Sequence, residues 1–152
     1  MALEMNTIGV KLKYAVETTA GTHPTTGYTE IPDIKEIPEI NLSPSQLEVT
    51  NLVDKFKRYI PGVQDPGSDF AITANLTTAL KTAWGSLCST ATAAWADNKA
   101  TWFEVSIPNF ESFFFAGLPV DLGLSQQGVD AVEEANLHVI PNQIAGWAAA
   151  ST

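Results

Sequence analysis

The stretch from Glu39 to Leu76, EINLSPSQLEVTNLVDKFKRYIPGVQDPGSDFAITANL, narrows the possible folds most, because it holds two strand-like runs further apart than a tight turn would. The first run is Gln46 to Leu52, with β-branched Val49 and Thr50 between a Ser-Pro-Ser start and the charged Asp54-Lys55-Phe56-Lys57-Arg58. The second is Asp69 to Leu76. Pro61-Gly62 and Pro66-Gly67 lie between them and carry turn chemistry, so the intervening segment is expected to continue neither strand and to project from the fold. Connections in compact domains run to about 4–6 residues, and much longer ones tend to be functional or disordered.

The remainder is written mostly in strands. Ile8, Val10, Leu12, Tyr14 and Val16 alternate with small or charged residues, which predicts a half-buried strand. Thr18 to Thr29 is turn-rich and small, a second long loop, and the proline-interrupted Ile31 to Ile40 reads as a bulged edge strand or polyproline II segment. One helix is predicted, capped at Asn75 or Thr77, with Leu80, Trp84, Leu87, Ala91 and Trp95 on a core-facing stripe and a break expected after Ser89. Thr101 to Ile107 and Phe110 to Ala116 form a hairpin, and Val129 to Ile140 the last long strand. Pro141 to Thr152 reads as a tail anchored by Trp147. The expected fold is mainly β, a β-sandwich or barrel-like sheet with one flanking α-helix and long loops. It spans 1–152 as one domain, with mobile loops near 18–29 and 54–68.

Charge excludes some functions. The net charge is −9, all eight Lys and Arg lie at or before Lys99, and Ala100 to Thr152 has acids but no Lys or Arg. Ordinary nucleic-acid binding needs cations to displace counterions from phosphate, and this chain is poor in them. The single cysteine, Cys88, sits beside Leu87 and near Ala91, which suits a buried small side chain and permits no internal disulfide. No basic-then-apolar leader opens the sequence, and its longest apolar run, Phe113 to Val120, is far short of the ~20 residues of a membrane helix. A soluble protein made in the cytoplasm is the expectation.

Chemical signatures are absent. His23 and His138 have no HExxH context or second ligand at useful spacing, and the Asp65-x-Gly67-x-Asp69 run has Leu76 where a calcium loop needs a bidentate Glu. No nucleophile elbow, P-loop or dinucleotide fingerprint occurs. Glu133 and Glu134, adjacent on a strand, would point to opposite faces. No cofactor or metal is expected, and no enzymatic activity.

The order of motifs around the opening stretch resembles the major tail tube proteins of long-tailed, non-contractile bacteriophages. The residues that carry the resemblance are Ile31-Pro32, Ile37-Pro38, Leu47-Glu48-Val49-Thr50-Asn51-Leu52, Lys57-Arg58-Tyr59-Ile60-Pro61-Gly62 and Asp65-Pro66-Gly67. With the strand and helix order downstream it extends over nearly the whole chain. The resemblance implies a β-sandwich with a flanking helix whose copies assemble into stacked six-fold rings, a hollow tail tube through which DNA passes without specific binding. It further implies self-association, tape measure and tail terminator proteins as partners, no membrane, and a place in the virion tail after assembly in the host cytoplasm. Within that frame Lys55, Lys57, Arg58 and Tyr59 are the expected subunit or ring interface, with Glu104 or Asp130 as acidic counterparts. Glu48, Glu104, Asn136 and His138 are the expected channel-lining residues, each beside or opposite apolar neighbours on a strand. The inner tubes of contractile tails and of type VI secretion share the fold and stand as alternatives. A small-ligand or glycan-binding sandwich using Trp102, Phe103, Phe113, Phe114 and Phe115 as a platform is another, and a glycosidase-like enzyme with carboxylates from separate strands a third.

Overall fold

The computed structural model describes residues 6–65 and 69–151. Within them, nine strands and one helix follow in the order β1 (Lys11–Val16), β2 (Thr29–Glu30), β3 (Ile34–Glu36), β4 (Ser43–Glu48), β5 (Tyr59–Asp65), β6 (Phe70–Asn75), α1 (Thr78–Ala96), β7 (Thr101–Ser106), β8 (Ser112–Pro119) and β9 (Glu134–Ala148). Seven strands form one curled sheet in the order β2-β1-β7-β8-β9-β6-β3, and its pairings are all antiparallel. β4 and β5 pair only with each other, as a separate two-stranded arm.

Period-two patterning decides which side of the sheet is dry. Leu12 of β1, Ile72 of β6, Phe103 of β7, Phe115 of β8, and Leu137 and Val139 of β9 are fully buried on one face, where Leu80, Trp84, Leu87 and Cys88 of α1 close over them. Phe103 and Phe115 stack with centroids 5.2 Å apart, and Phe70 meets Phe115 edge-on at 5.5 Å. The Trp84 indole N–H, which would be costly to bury unpaired, donates to the Val120 carbonyl at 2.9 Å. Thr77 caps the helix by accepting from the Leu80 amide at 3.1 Å.

Several expectations need correcting. The segment 54–68 is not one long loop: β5 begins at Tyr59 and runs through Pro61-Gly62, with Gln46 opposite Pro61 and Leu47 opposite Ile60. Both strands of a two-stranded ribbon have an outward edge, so a proline without its N–H is tolerated there. A Cβ on Gly62 would stand 2.4 Å from Ser45 Oγ, so this glycine permits close approach of the facing strand rather than a turn. Pro66-Gly67 lies outside the described residues. The first strand starts at Lys11 rather than Ile8, after Gly9 at φ 86°.

The helix does not break after Ser89; it continues to Ala96, and Thr92 Oγ1 donates to the Cys88 carbonyl at 2.9 Å. Its stripe ends earlier than expected. Ala91 and Ala94 fill the core-facing positions of the last turns, and Trp95 is left 55% exposed against 1% for Trp84. The final strand is Glu134–Ala148 and absorbs Pro141 at a register shift opposite Gly117. Its first half pairs with β6 and its second with β8, so the segment from Pro141 is sheet rather than tail.

Candidate assembly surfaces

The arm presents the first surface. Its tip is built by short polar contacts: Asn51 Oδ1 accepts from Val53 N at 3.0 Å, and Asp54 Oδ2 accepts from Asn51 N at 2.9 Å and from Arg58 Nε at 3.0 Å. Thr50 Oγ1 accepts from Arg58 N at 2.9 Å, and the Arg58 carbonyl receives Val49 N at 2.9 Å. Arg58, expected to dock on another subunit, therefore closes its own turn. Lys55 and Lys57 have no ion-pair partner among the described residues and flank Phe56, which is 83% exposed. Leu52, Val53 and Val63 are exposed as well. Tyr59, half-exposed, stands directly across the ribbon from Glu48. Glu48, expected on a channel wall, thus shares the arm with the interface cluster and is apart from the seven-stranded sheet.

The second surface is the sheet face turned away from α1. Residues paired across neighbouring strands share a face, and the register puts Lys11 and Lys13 of β1, Trp102 and Glu104 of β7, Phe114 and Ala116 of β8, and Asn136 and His138 of β9 on this one. Asn136 and His138 are exposed, and His138 Nδ1 lies 2.7 Å from Asp69 Oδ2. Glu104 departs from expectation, being 0% exposed. Its carboxylate accepts from Ser151 N at 2.9 Å and Ser151 Oγ at 3.0 Å, and Lys13 Nζ stands 3.8 Å away. A strand pattern cannot reveal that distant residues fold over a position, and here Ser151 and Lys13 cover Glu104 within a single copy.

A clasp with almost no signature in the sequence covers the middle of this face. The loop after β1 folds back so that His23 stacks on Trp102 with centroids 4.2 Å apart and meets Phe114 edge-on at 4.8 Å, with Tyr28 beside Phe114 at 5.8 Å. Tyr28 OH donates to the Pro24 carbonyl at 2.9 Å and lies 3.2 Å from His23 Nε2. Glu17 ties the loop down, accepting from the Trp102 indole N–H at 2.9 Å, Gly21 N at 2.8 Å and Ala100 N at 3.1 Å. Burial alone would raise the Glu17 carboxyl, but those three donors and nearby His23 outweigh it and hold the group below its ordinary range. Burial pushes His23 downward against the pull of Glu17 and Glu104, and pushes the Tyr28 phenol well up. The one hint in the sequence is a pair of rings, His23 and Tyr28, in an otherwise small and polar stretch.

A third feature lies at the foot of the arm. Ile37, Pro38, Ile40 and Asn41 face Val105, Phe113 and Trp147 across an apolar cavity of about 230 Å³. Trp147 forms edge-on pairs with Phe113 at 5.4 Å and Phe110 at 5.5 Å, yet remains half-exposed.

These observations bear on the other readings. Trp102, Phe103, Phe114 and Phe115 are buried and Phe113 partly so, and these five therefore do not form an open platform for a ligand. Glu17 is held low by its donors, the opposite of the raised carboxyl that a general acid needs. Among the described residues no group of three or more His, Cys, Asp or Glu could hold a metal ion, and no helix is long and apolar enough to cross a membrane. Cys88 is buried, its thiol pushed up to about 11 by burial and by Asp121.

No protein-family model and no curated protein matches the sequence. Solved structures do match the fold. A chain of the six-fold symmetrised anti-feeding prophage baseplate superposes with a TM-score of 0.62 at 8% identity, over 96% of this chain and 97% of that one. A chain of the native gene transfer agent virion gives 0.58 at 12% identity, over 95% of this chain and all of the other. One from the tail of the empty gene transfer agent particle, solved with C6 symmetry, gives 0.59 at 12% identity with the same coverage. The fold is shared with chains of a prophage baseplate and of gene transfer agent particles, over nearly the full length of both chains.

Proposed function

We propose that this chain is a structural subunit whose copies associate into six-fold rings that stack into the hollow tube of a long-tailed phage, the conduit for DNA. The observation that carries the reading is the match over nearly the full length of both chains to subunits of six-fold tail and baseplate particles. The arm adds physical support. A ribbon exposing Leu52, Val53, Phe56 and Val63 at its tip and sides buries too little of its own apolar surface to justify projecting into water, and contact with another copy would remove that cost. In this reading the chain resides in the virion tail after assembly in the host cytoplasm, with tape measure and terminator proteins at the ends of the stack, and without a catalytic role. The inner tube of a contractile system is the second reading, with which the baseplate chain's superposition is equally compatible. Electron microscopy of the concentrated full chain tests the proposal: rings with six-fold averages, or tubes made of them, are expected. A protein that stays monomeric at every concentration reached, with or without tail extract, would remove it.

A further inference from the structure

The chain carries both halves of a contact that one copy cannot make with itself. One half is the arm tip, where exposed Phe56 stands between Lys55 and Lys57. The other is the cavity at the arm's foot, whose apolar lining includes Ile37, Ile40, Val105, Phe113 and Trp147. The size suffices: a benzene fits a cavity of about 150 Å³, and this open, mostly apolar groove offers about 230 Å³. The charges agree too. Glu39 lies between lining residues Pro38 and Ile40, Glu111 is two residues from Phe113, and both acids are exposed, opposite in sign to the lysines flanking Phe56. A copy's own tip is out of reach, because the six extended residues of β4 carry it roughly 20 Å away from the foot.

We propose that the Lys55-Phe56-Lys57 tip of one copy docks in the Ile37/Ile40/Val105/Phe113/Trp147 cavity of a second copy, with Glu39 and Glu111 receiving the two lysines. Knob and hole are different surfaces, so every copy gives one contact and receives another; such contacts close into a ring or run on as a filament. The inference deepens the ring proposal and rests on it for its setting, but its test does not.

A photo-crosslinking phenylalanine analogue at position 56 of the full chain reads the contact directly, since an exposed site tolerates it. Cross-links from one copy to residues 37–41, Val105, Phe113 or Trp147 of another are expected; cross-links confined to other segments, or none between copies, overturn the docking. The charges are tested by exchange. Lys55→Glu/Lys57→Glu and Glu39→Lys/Glu111→Lys should each weaken self-association at least about ten-fold, and their combination in one chain should restore it. Failure of the combination to restore association overturns the assigned pairing. Two results separate this inference from the ring proposal. Normal rings from Phe56→Ala would end the docking and leave the ring, while the expected cross-link in material that never forms rings would do the reverse.

Discussion

The Glu17 carboxylate is where one side chain decides the state of a whole loop. It joins the end of β1, the 18–28 loop and the start of β7, because its oxygens accept from Gly21 N, Trp102 Nε1 and Ala100 N together. Trp102→Phe keeps an aromatic ring under His23 but removes the indole donor together with part of a buried ring, whose loss adds to the cost. Hydrogen bonds to charged groups are worth about 1.5–3 kcal/mol, and a loss of at least that order is expected in urea unfolding, with faster amide exchange at Gly21. The clasp should also weaken in acid. Glu17 and His23 are both held below their ordinary values of 4.5 and 6.5, by donor hydrogen bonds and by burial respectively. Between the folded and unfolded values of each group the unfolded chain binds the extra proton, so stability rises with pH across both windows. Going down in pH, the His23 contribution is lost first, below 6.5, and the Glu17 contribution follows below 4.5. Protection factors at Gly21 and Ala100 that stayed flat from about pH 8 to about pH 4 would contradict this linkage.

Strands and helix test the packing argument in a different way. Gly117 of β8 lies so close to β9 that a Cβ there would stand 2.6 Å from Val139 Cγ1 and 2.7 Å from the Ile140 carbonyl oxygen. Gly117→Ala is therefore expected to push the two strands apart and cost about 1–3 kcal/mol, as overpacking commonly does; unfolding at wild-type urea concentrations would show this close approach to be dispensable. Thr77→Ala should cost about 1 kcal/mol through the lost cap, and it also removes the 2.5 Å bond from Thr77 Oγ1 to Asp33 that links the helix start to the β2–β3 turn. Such elements are legible in the sequence where one physical rule governs. Alternation locates β1, β6, β7 and the buried half of β9, and helical spacing with a threonine cap locates α1. Local signals mislead where tertiary context overrides them. Pro61 and Pro141 carry the chemistry of strand terminators, yet each lies in a strand, one on a ribbon edge and the other at a register shift. The arm is visible in the sequence as a projection, but not the pairing of its outbound and returning limbs. Glu104 reads as outward-facing because alternation says which face a residue is on and nothing about what folds across it.

For the molecule as a whole the distribution of charge matters more than its sum. The chain has a net charge of −9, but the sheet face opposite α1 bears Lys11 and Lys13 as well as Asn136 and His138. Each lysine stands beside a carboxylate: Lys11 Nζ is 3.8 Å from Glu30 and Lys13 Nζ 3.8 Å from Glu104. Paired this closely, the cations add little to the field beyond a Debye length of about 8–10 Å. If this face lines the proposed tube, duplex DNA would meet polar groups and neutralised pairs rather than open cations. That distinction is functional, because a row of unpaired lysines would hold phosphates with an affinity that multiplies over stacked rings. Assembled wild-type protein is therefore expected to leave duplex DNA unretarded at physiological salt. Replacing Glu30 and Glu134 by Gln frees Lys11 and Lys35 from their carboxylate partners without placing like charges against each other. Assemblies of that variant should bind DNA, with log K falling against log salt by about 0.9 for each phosphate neutralised. Tight, salt-steep binding by wild-type assemblies would show the electrostatic argument to be wrong. A variant that assembles and still ignores DNA would instead show that the wall is made by another surface, and the arm, which carries Glu48 across from Tyr59, would be the next to test.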